Sequence, residues 1–250
     1  MPATTMITVA PTGAESARSD VPALPVTLDE LVRTARSCAD IGASVLHLHV
    51  RDAEGRPTLD LAYLTEAVAA LRESTDLVVQ LAGGPVRALD ADPDAASCPV
   101  SPELHTVLRD RRIVPAYRID DLDQLATLRR LLDEYGPPYG ERVHCTLVMG
   151  LPGGMPGTVP ALAAALQALP PEATFTATGV GAATIPVMLA ALAAGGHLRV
   201  GLEDTLAYGP GQPVRDNAQL VARAAGLARI AQRPPATPAE VRTLLGIGAA

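Results

Sequence analysis

Along the whole chain, short apolar runs alternate with longer stretches of helical period, and this alternation repeats eight times. Parallel strands need a crossover between them, so a repeated strand–helix pattern specifies βαβ units. The apolar runs fall at 6–10, 44–50, 76–81, 95–98, 113–117, 143–149, 173–178 and 198–201. Helical patterns fall between them, at 28–40, 61–73, 102–110, 122–135, 159–169, 182–194 and 217–232, with a short helical stretch after Pro85. Thr27 is a suitable N-cap for the first helix and Gly42 a suitable stop. The runs are almost continuously apolar, as strands covered on both faces are. Eight of them in 250 residues predict an α/β fold of the (β/α)8 TIM-barrel type, which takes about 250 residues. A single domain over 1–250 is expected, with a short C-terminal helix at 238–246 opened by Thr237-Pro238. The competing fold, a doubly wound open sheet, finds no GxGxxG after a strand and no GxxxxGK[ST].

The formal net charge of −7 excludes the basic footprint of a nucleic-acid binder, although a local arginine could still hold a small anion. No run of about 18 uncharged apolar residues exists, so no membrane span is expected. Residues 1–9 lack the basic start and apolar stretch of a signal peptide. Cys38, Cys98 and Cys145 are scattered and odd in number, which fits reduced thiols in a cytoplasmic protein.

Every basic side chain is arginine; lysine is absent. A lysine-free chain cannot form a Schiff base from a side chain, so carbonyl chemistry here would need another electron sink, and a metal ion is the obvious one.

In such barrels the chemistry collects at the C-terminal ends of the strands. The second run ends Leu46-His47-Leu48-His49-Val50-Arg51-Asp52, and the strand period of two puts His47 and His49 on one face. Two imidazoles there suit Zn²⁺ or a similar ion, and two hydrogen-bonded core histidines are the plain alternative. The eighth run ends Arg199-Val200-Gly201-Leu202-Glu203-Asp204. In a closed ring that strand lies one strand away from the second, so Glu203 could complete a His₂Glu site and leave positions open to substrate. Asp204, next along, is better placed as a general base than as a ligand to the same ion. A solvated acidic loop is the competing reading of that pair. Glycine-rich turns follow the third run, at Gly83-Gly84, and the sixth, at 150–157; each could offer backbone N–H groups to an anion or simply make a tight turn. His105, His144 and His197 read as structural.

Five stretches together resemble the β-keto acid cleavage enzymes: APTGAE at 10–15, GASVLHLHVRD at 42–52, GLPGGMPGT at 150–158, GGHLRVGLEDTL at 195–206 and the C-terminal segment 217–247. The resemblance runs nearly end to end. It implies a (β/α)8 barrel, usually a homotetramer though a dimer is open, carrying a divalent ion that is normally zinc. By motif it puts the metal ligands on His47, His49 and Glu203 and the catalytic aspartate on Asp204. It puts the assisting arginine on Arg199 and a substrate-contacting glutamate on Glu15. The implied reaction condenses a β-keto acid with acetyl-CoA to give acetoacetate and a new CoA thioester. After the third strand the family usually carries a hydroxyl-bearing turn; here it reads Leu81-Ala82-Gly83-Gly84, without a hydroxyl. That removes a hydrogen bond of about 0.5–1.5 kcal/mol if neutral. The family's fourth-strand hydroxyl maps onto Ser97. Two other readings compete: a metal-dependent hydrolase on the same barrel, and a metabolite-binding barrel without turnover. The hydrolase class places its HxH on the first strand and adds histidines after the fifth and sixth, where Tyr117-Arg118 and Met149-Gly150 stand here.

Overall fold

A computed structural model of the 250-residue chain describes residues 3–248. Eight strands form the barrel: β1 (Ile7–Val9), β2 (Val45–Leu48), β3 (Val78–Leu81), β4 (Ala95–Cys98), β5 (Val114–Ile119), β6 (His144–Met149), β7 (Thr174–Gly179) and β8 (His197–Val200). All pair in parallel, in chain order, and β1 closes the ring by pairing with both β2 and β8. The expected (β/α)8 barrel is therefore the fold.

The helices are α1 (Leu28–Ile41), α2 (Leu61–Ser74), α3 (Pro102–Asp110), α4 (Leu122–Tyr135), α5 (Val159–Ala168), α6 (Thr184–Ala193), α7 (Asn217–Ile230) and α8 (Pro238–Leu245). Side-chain caps set most of their starts. Thr27 makes a full capping box with Glu30, and Gly42 ends α1 at φ 129°. Between β3 and β4 a 3-10 turn (Val86–Ala91) replaces an α-helix, closed by Asp92 in the left-handed region ahead of Pro93. The second run is shorter as a barrel strand than the apolar pattern 44–50 suggests. After Leu48 the chain leaves the ring, and Val50 and Arg51 pair instead with Thr58 and Pro57 in a small hairpin. None of the helices among the described residues is long and apolar enough to cross a membrane.

Alternation splits each strand between two environments. Leu46, Leu48, Val79, Leu81, Tyr117, Ile119, Leu147, Leu198 and Val200 face outward into the main core beneath the helices. The inward residues form a second, smaller cluster at the barrel floor, where Met6, Val45, Val78, Ala95 and Val114 pack on Val241 and Leu245 of α8. The C-terminal helix thus plugs the floor and leaves the opposite mouth as the open end. Between floor and mouth the barrel interior is polar, with Thr8, Gln80, Ser97, Thr146, Thr176 and Arg199 buried. Barrel interiors are usually filled by bulky branched residues, so a polar middle layer marks the region where the chain departs from pure packing.

Candidate active site

The HLH sequence does what its period predicts: His47 points inward from β2, and His49 follows at the strand's end, with ring centroids 5.5 Å apart. β2 and β8 are both neighbours of β1, so the loop after β8 brings Glu203 up to the imidazoles. One Glu203 oxygen lies 3.1 Å from His49 Nδ1 and the other 3.8 Å from His47 Nε2. One ligand atom from each of the three lies within 4.8 Å of the others. Tetrahedral zinc ligands at about 2.0–2.1 Å from the ion stand roughly 3.4 Å apart, a spacing of the same order. Gly13 makes this approach possible. It sits at φ +62°, and a Cβ there would come within 2.8 Å of Glu203 Cγ.

Electrostatics prepare the group for a cation. Burial pushes His47 down to about 3, helped by the nearby Arg199 charge, so its imidazole is neutral at physiological pH. Its Nδ1 lies 2.8 Å from Gln80 Oε1, the residue beside it in register on β3. With the amide oxygen accepting, Nδ1 carries the proton and Nε2 keeps its lone pair toward Glu203. Burial works against the charge of Glu203, but Arg199 and the two histidines hold its carboxyl below the usual carboxylate range.

Arg199 organises the other half. Its Nε and Nη2 donate to the two oxygens of Asp204 at 3.0 and 2.9 Å, and Nη2 also reaches Glu203 Oε1 at 2.6 Å. Burial disfavours the guanidinium charge, yet the two carboxylates outweigh it and raise its pKa above the ordinary arginine value. Asp204 is only 5% exposed. Its burial raises its pKa, with Glu203 adding to the rise, while Arg199 and the Thr178 hydroxyl pull the other way. Two carboxylates share one guanidinium, and two imidazoles stand beside them. Such a donor set has a net negative charge that a divalent ion fits.

The group stands on one wall of a cavity of about 370 Å³ at the barrel mouth. Of the substrate-contacting residues expected from the sequence, Glu15 lines it from the exposed loop after β1, Ser97 from β4, and Gly83 from the turn after β3. Gly84 is set apart: it does not line the cavity, and a Cβ added there would meet Leu59 and Ala88. The turn leaves Ala82 and Gly83 on the wall where a hydroxyl was expected.

Three residues were not singled out by sequence reading. Gln80 had a visible signal, a lone amide inside the run Val78-Val79-Gln80-Leu81 on the inward phase. Thr178 had none, because its partner Asp204 comes from the neighbouring strand's loop. Arg118 directly follows the fifth run as one charge among many and lines the cavity. His144 and His197, read as structural in the sequence, are buried and hydrogen-bonded. The two nitrogens of His144 bond the hydroxyls of Thr174 and Thr176, and His197 Nδ1 accepts from Met6 N–H at 3.0 Å.

A sequence model of the beta-keto acid cleavage enzyme family matches residues 4–103 and 95–247. A 3-keto-5-aminohexanoate cleavage enzyme from Acetoanaerobium sticklandii is 32% identical over 97% of this chain and 98% of its own length. A 3-oxoadipate:acetyl-CoA acetyltransferase from Cupriavidus necator is 26% identical over 97% of this chain and 94% of its own. Among solved structures, the apo form of ObcA superposes with a TM-score of 0.74 at 16% identity, covering 91% of this chain and 66% of that one, a likeness of fold.

Proposed function

From the premise that this chain belongs to the beta-keto acid cleavage enzyme family, we propose that it transfers an acyl group from a β-keto acid to coenzyme A. A β-keto acid and acetyl-CoA would give acetoacetate and the CoA thioester of the remaining acyl group. The observation that carries this reading is the junction of Arg199, Asp204 and Glu203 beside His47 and His49 at the mouth of the barrel.

His47, His49 and Glu203 would hold a divalent ion, zinc by the chemistry of the donors. Once bound, that ion supplies Lewis-acid polarisation to the oxygens of the keto acid. Asp204 takes the acidic proton from the carbon between the keto and carboxyl groups. Its burial suits that role, since a desolvated carboxylate with a raised pKa is a stronger base. Arg199 fixes the direction of the Asp204 carboxylate through two hydrogen bonds and keeps a positive charge beside the developing enolate. The carbanion then attacks the acetyl carbonyl and expels CoA thiolate. The thiolate adds to the original keto carbon, and the bond between keto and methylene carbons breaks to leave the new thioester and an acetoacetate enolate, which takes its proton back from Asp204. Glu15 and Ser97 face the same cavity and contact the substrate away from the reacting carbon. A homotetramer or dimer in the cytoplasm is our reading for this chain.

The test is a panel of β-keto acids incubated with acetyl-CoA and zinc-loaded protein, with acetoacetate and the new thioester both measured. Acetoacetate that appears only with acetyl-CoA supports the proposal. Hydrolysis without coenzyme A, or binding without turnover, sinks it. Metal content is read on the same protein: the pair His47→Ala and Glu203→Ala should abolish stoichiometric zinc, and retention of zinc would show that the ion binds elsewhere.

A further inference from the structure

Arg118 is the fifth residue of β5. Its neighbours Tyr117 and Ile119 face outward into the core, so alternation aims Arg118 into the barrel mouth, where it lines the cavity. In ring order β5 stands directly opposite β1, the strand flanked by β2, which carries His47 and leads into His49, and by β8, whose following loop carries Glu203. The arginine therefore faces the ligand group from across the opening.

Its orientation is set from one side only. Nε donates to both oxygens of Asp120, at 3.0 and 2.9 Å. Among the described residues, neither terminal nitrogen, Nη1 or Nη2, has a hydrogen-bond partner. A guanidinium tied by Nε presents its other edge as a fork of parallel donors, the geometry that pairs with a carboxylate. The wall beside it is apolar, with Pro99, Val148, Leu151 and Val180. The cavity's exposed carboxylate, Glu15, belongs to the loop after β1, on the opposite wall.

We propose that Arg118 selects the substrate. Its free edge receives an anionic group at the end of the keto acid remote from His47, His49 and Glu203, so the preferred substrate is a β-keto dicarboxylic acid. This rests on reading the site as a β-keto acid cleavage centre. The phosphates of coenzyme A are a less suitable partner. They are separated from the thioester by the whole pantetheine arm, whereas Arg118 sits on a strand facing the ligand group across one barrel mouth.

Arg118→Met keeps the apolar stem and removes the fork. Wild type and R118M are compared, zinc-loaded and with acetyl-CoA, on a six-carbon β-keto diacid, on its distal methyl ester, and on a β-keto acid of equal length ending in an amine. Binding of adipate, an unreactive dicarboxylate, is followed by calorimetry on both proteins, with melting temperature as the check on folding. We expect wild type to favour the diacid over the ester by about tenfold or more. R118M should lose about 10- to 100-fold in kcat/KM on the diacid, mainly through KM, the range of one or two charged hydrogen bonds. Adipate affinity should fall by a similar factor, while the ester and the KM for acetyl-CoA change by less than about threefold.

Equal losses on diacid and ester would overturn the inference, as would a rise confined to the acetyl-CoA KM or a wild-type preference for the amine. If no keto acid is turned over at all, the cleavage reading fails by itself. Adipate binding still judges Arg118: wild type that ignores adipate, or R118M that binds it equally well, overturns its role.

Discussion

Replacing Gln80 with leucine removes the amide oxygen that faces His47 Nδ1, and the size of the effect follows from the geometry. The His47 Nδ1–Gln80 Oε1 contact is 2.8 Å, and both residues are buried, at 3% and 7% exposure. In Q80L the Nδ1–H stays buried with no acceptor, at a cost of about 1–3 kcal/mol. The imidazole has two ways to recover. It can turn over so that the proton faces Glu203, or it can stay and carry an unmade donor. In the first case its lone pair no longer faces the ligand space; in the second the folded state is weakened. Outer partners of metal-bound histidines contribute about 10–100-fold to affinity, which is roughly 1.4–2.7 kcal/mol and so agrees with the hydrogen-bond figure. Zinc affinity is measured by competition with a chromophoric chelator, and unfolding of the metal-free protein by urea. We expect zinc to bind about 10–100-fold more weakly, with kcat largely recovered at saturating zinc. Gln80→Glu, which keeps an acceptor on Nδ1, should hold zinc at least as tightly as wild type. Zinc affinity in Q80L within about twofold of wild type would refute the assigned tautomer and with it the role of Gln80.

Asp204→Asn keeps the shape beside Arg199 and removes the base, so acetoacetate formation should fall by about 10²–10⁴-fold while zinc content is retained; undiminished turnover would end the mechanism given above. Gly13→Ala puts a methyl group 2.8 Å from Glu203 Cγ at φ +62°, and should destabilise the fold by about 1–3 kcal/mol in urea unfolding and also weaken zinc binding. Acid should destabilise the barrel through two histidines. Burial pushes His144 from 6.5 to about 4 and His197 from 6.5 to about 3. Both stay neutral in the folded state while the unfolded chain takes up protons. Their contribution is whole above pH 6.5 and is lost as pH falls toward those lowered values, at about 1 kcal/mol per pH unit for each. His144→Asn should flatten the slope of unfolding free energy between pH 6 and 5 by that amount, whatever it does to stability at pH 7. An unchanged slope would mean His144 is not held neutral.

The strand–helix order, and most element limits to within a residue or two, could be read from sequence because strand and helix periods are local. So could the shared face of His47 and His49, which needs only the period of two, and the placement of Glu203 and Asp204 at the end of the eighth strand. The trimming of the second strand was not legible. Whether Val50 stays in the ring or pairs with Thr58 depends on competition between two partners distant in sequence. The same limit hid Gln80 as the partner of His47, since their alignment is a register between strands. It hid the Thr178 hydroxyl beside Asp204 and the double clasp of Arg199 on both carboxylates. Most of all it hid Arg118. Its chemistry is plain in the sequence, but its position opposite the ligand group exists only once eight strands have closed. Local periodicity tells each side chain which way to face, and ring closure alone decides what it faces.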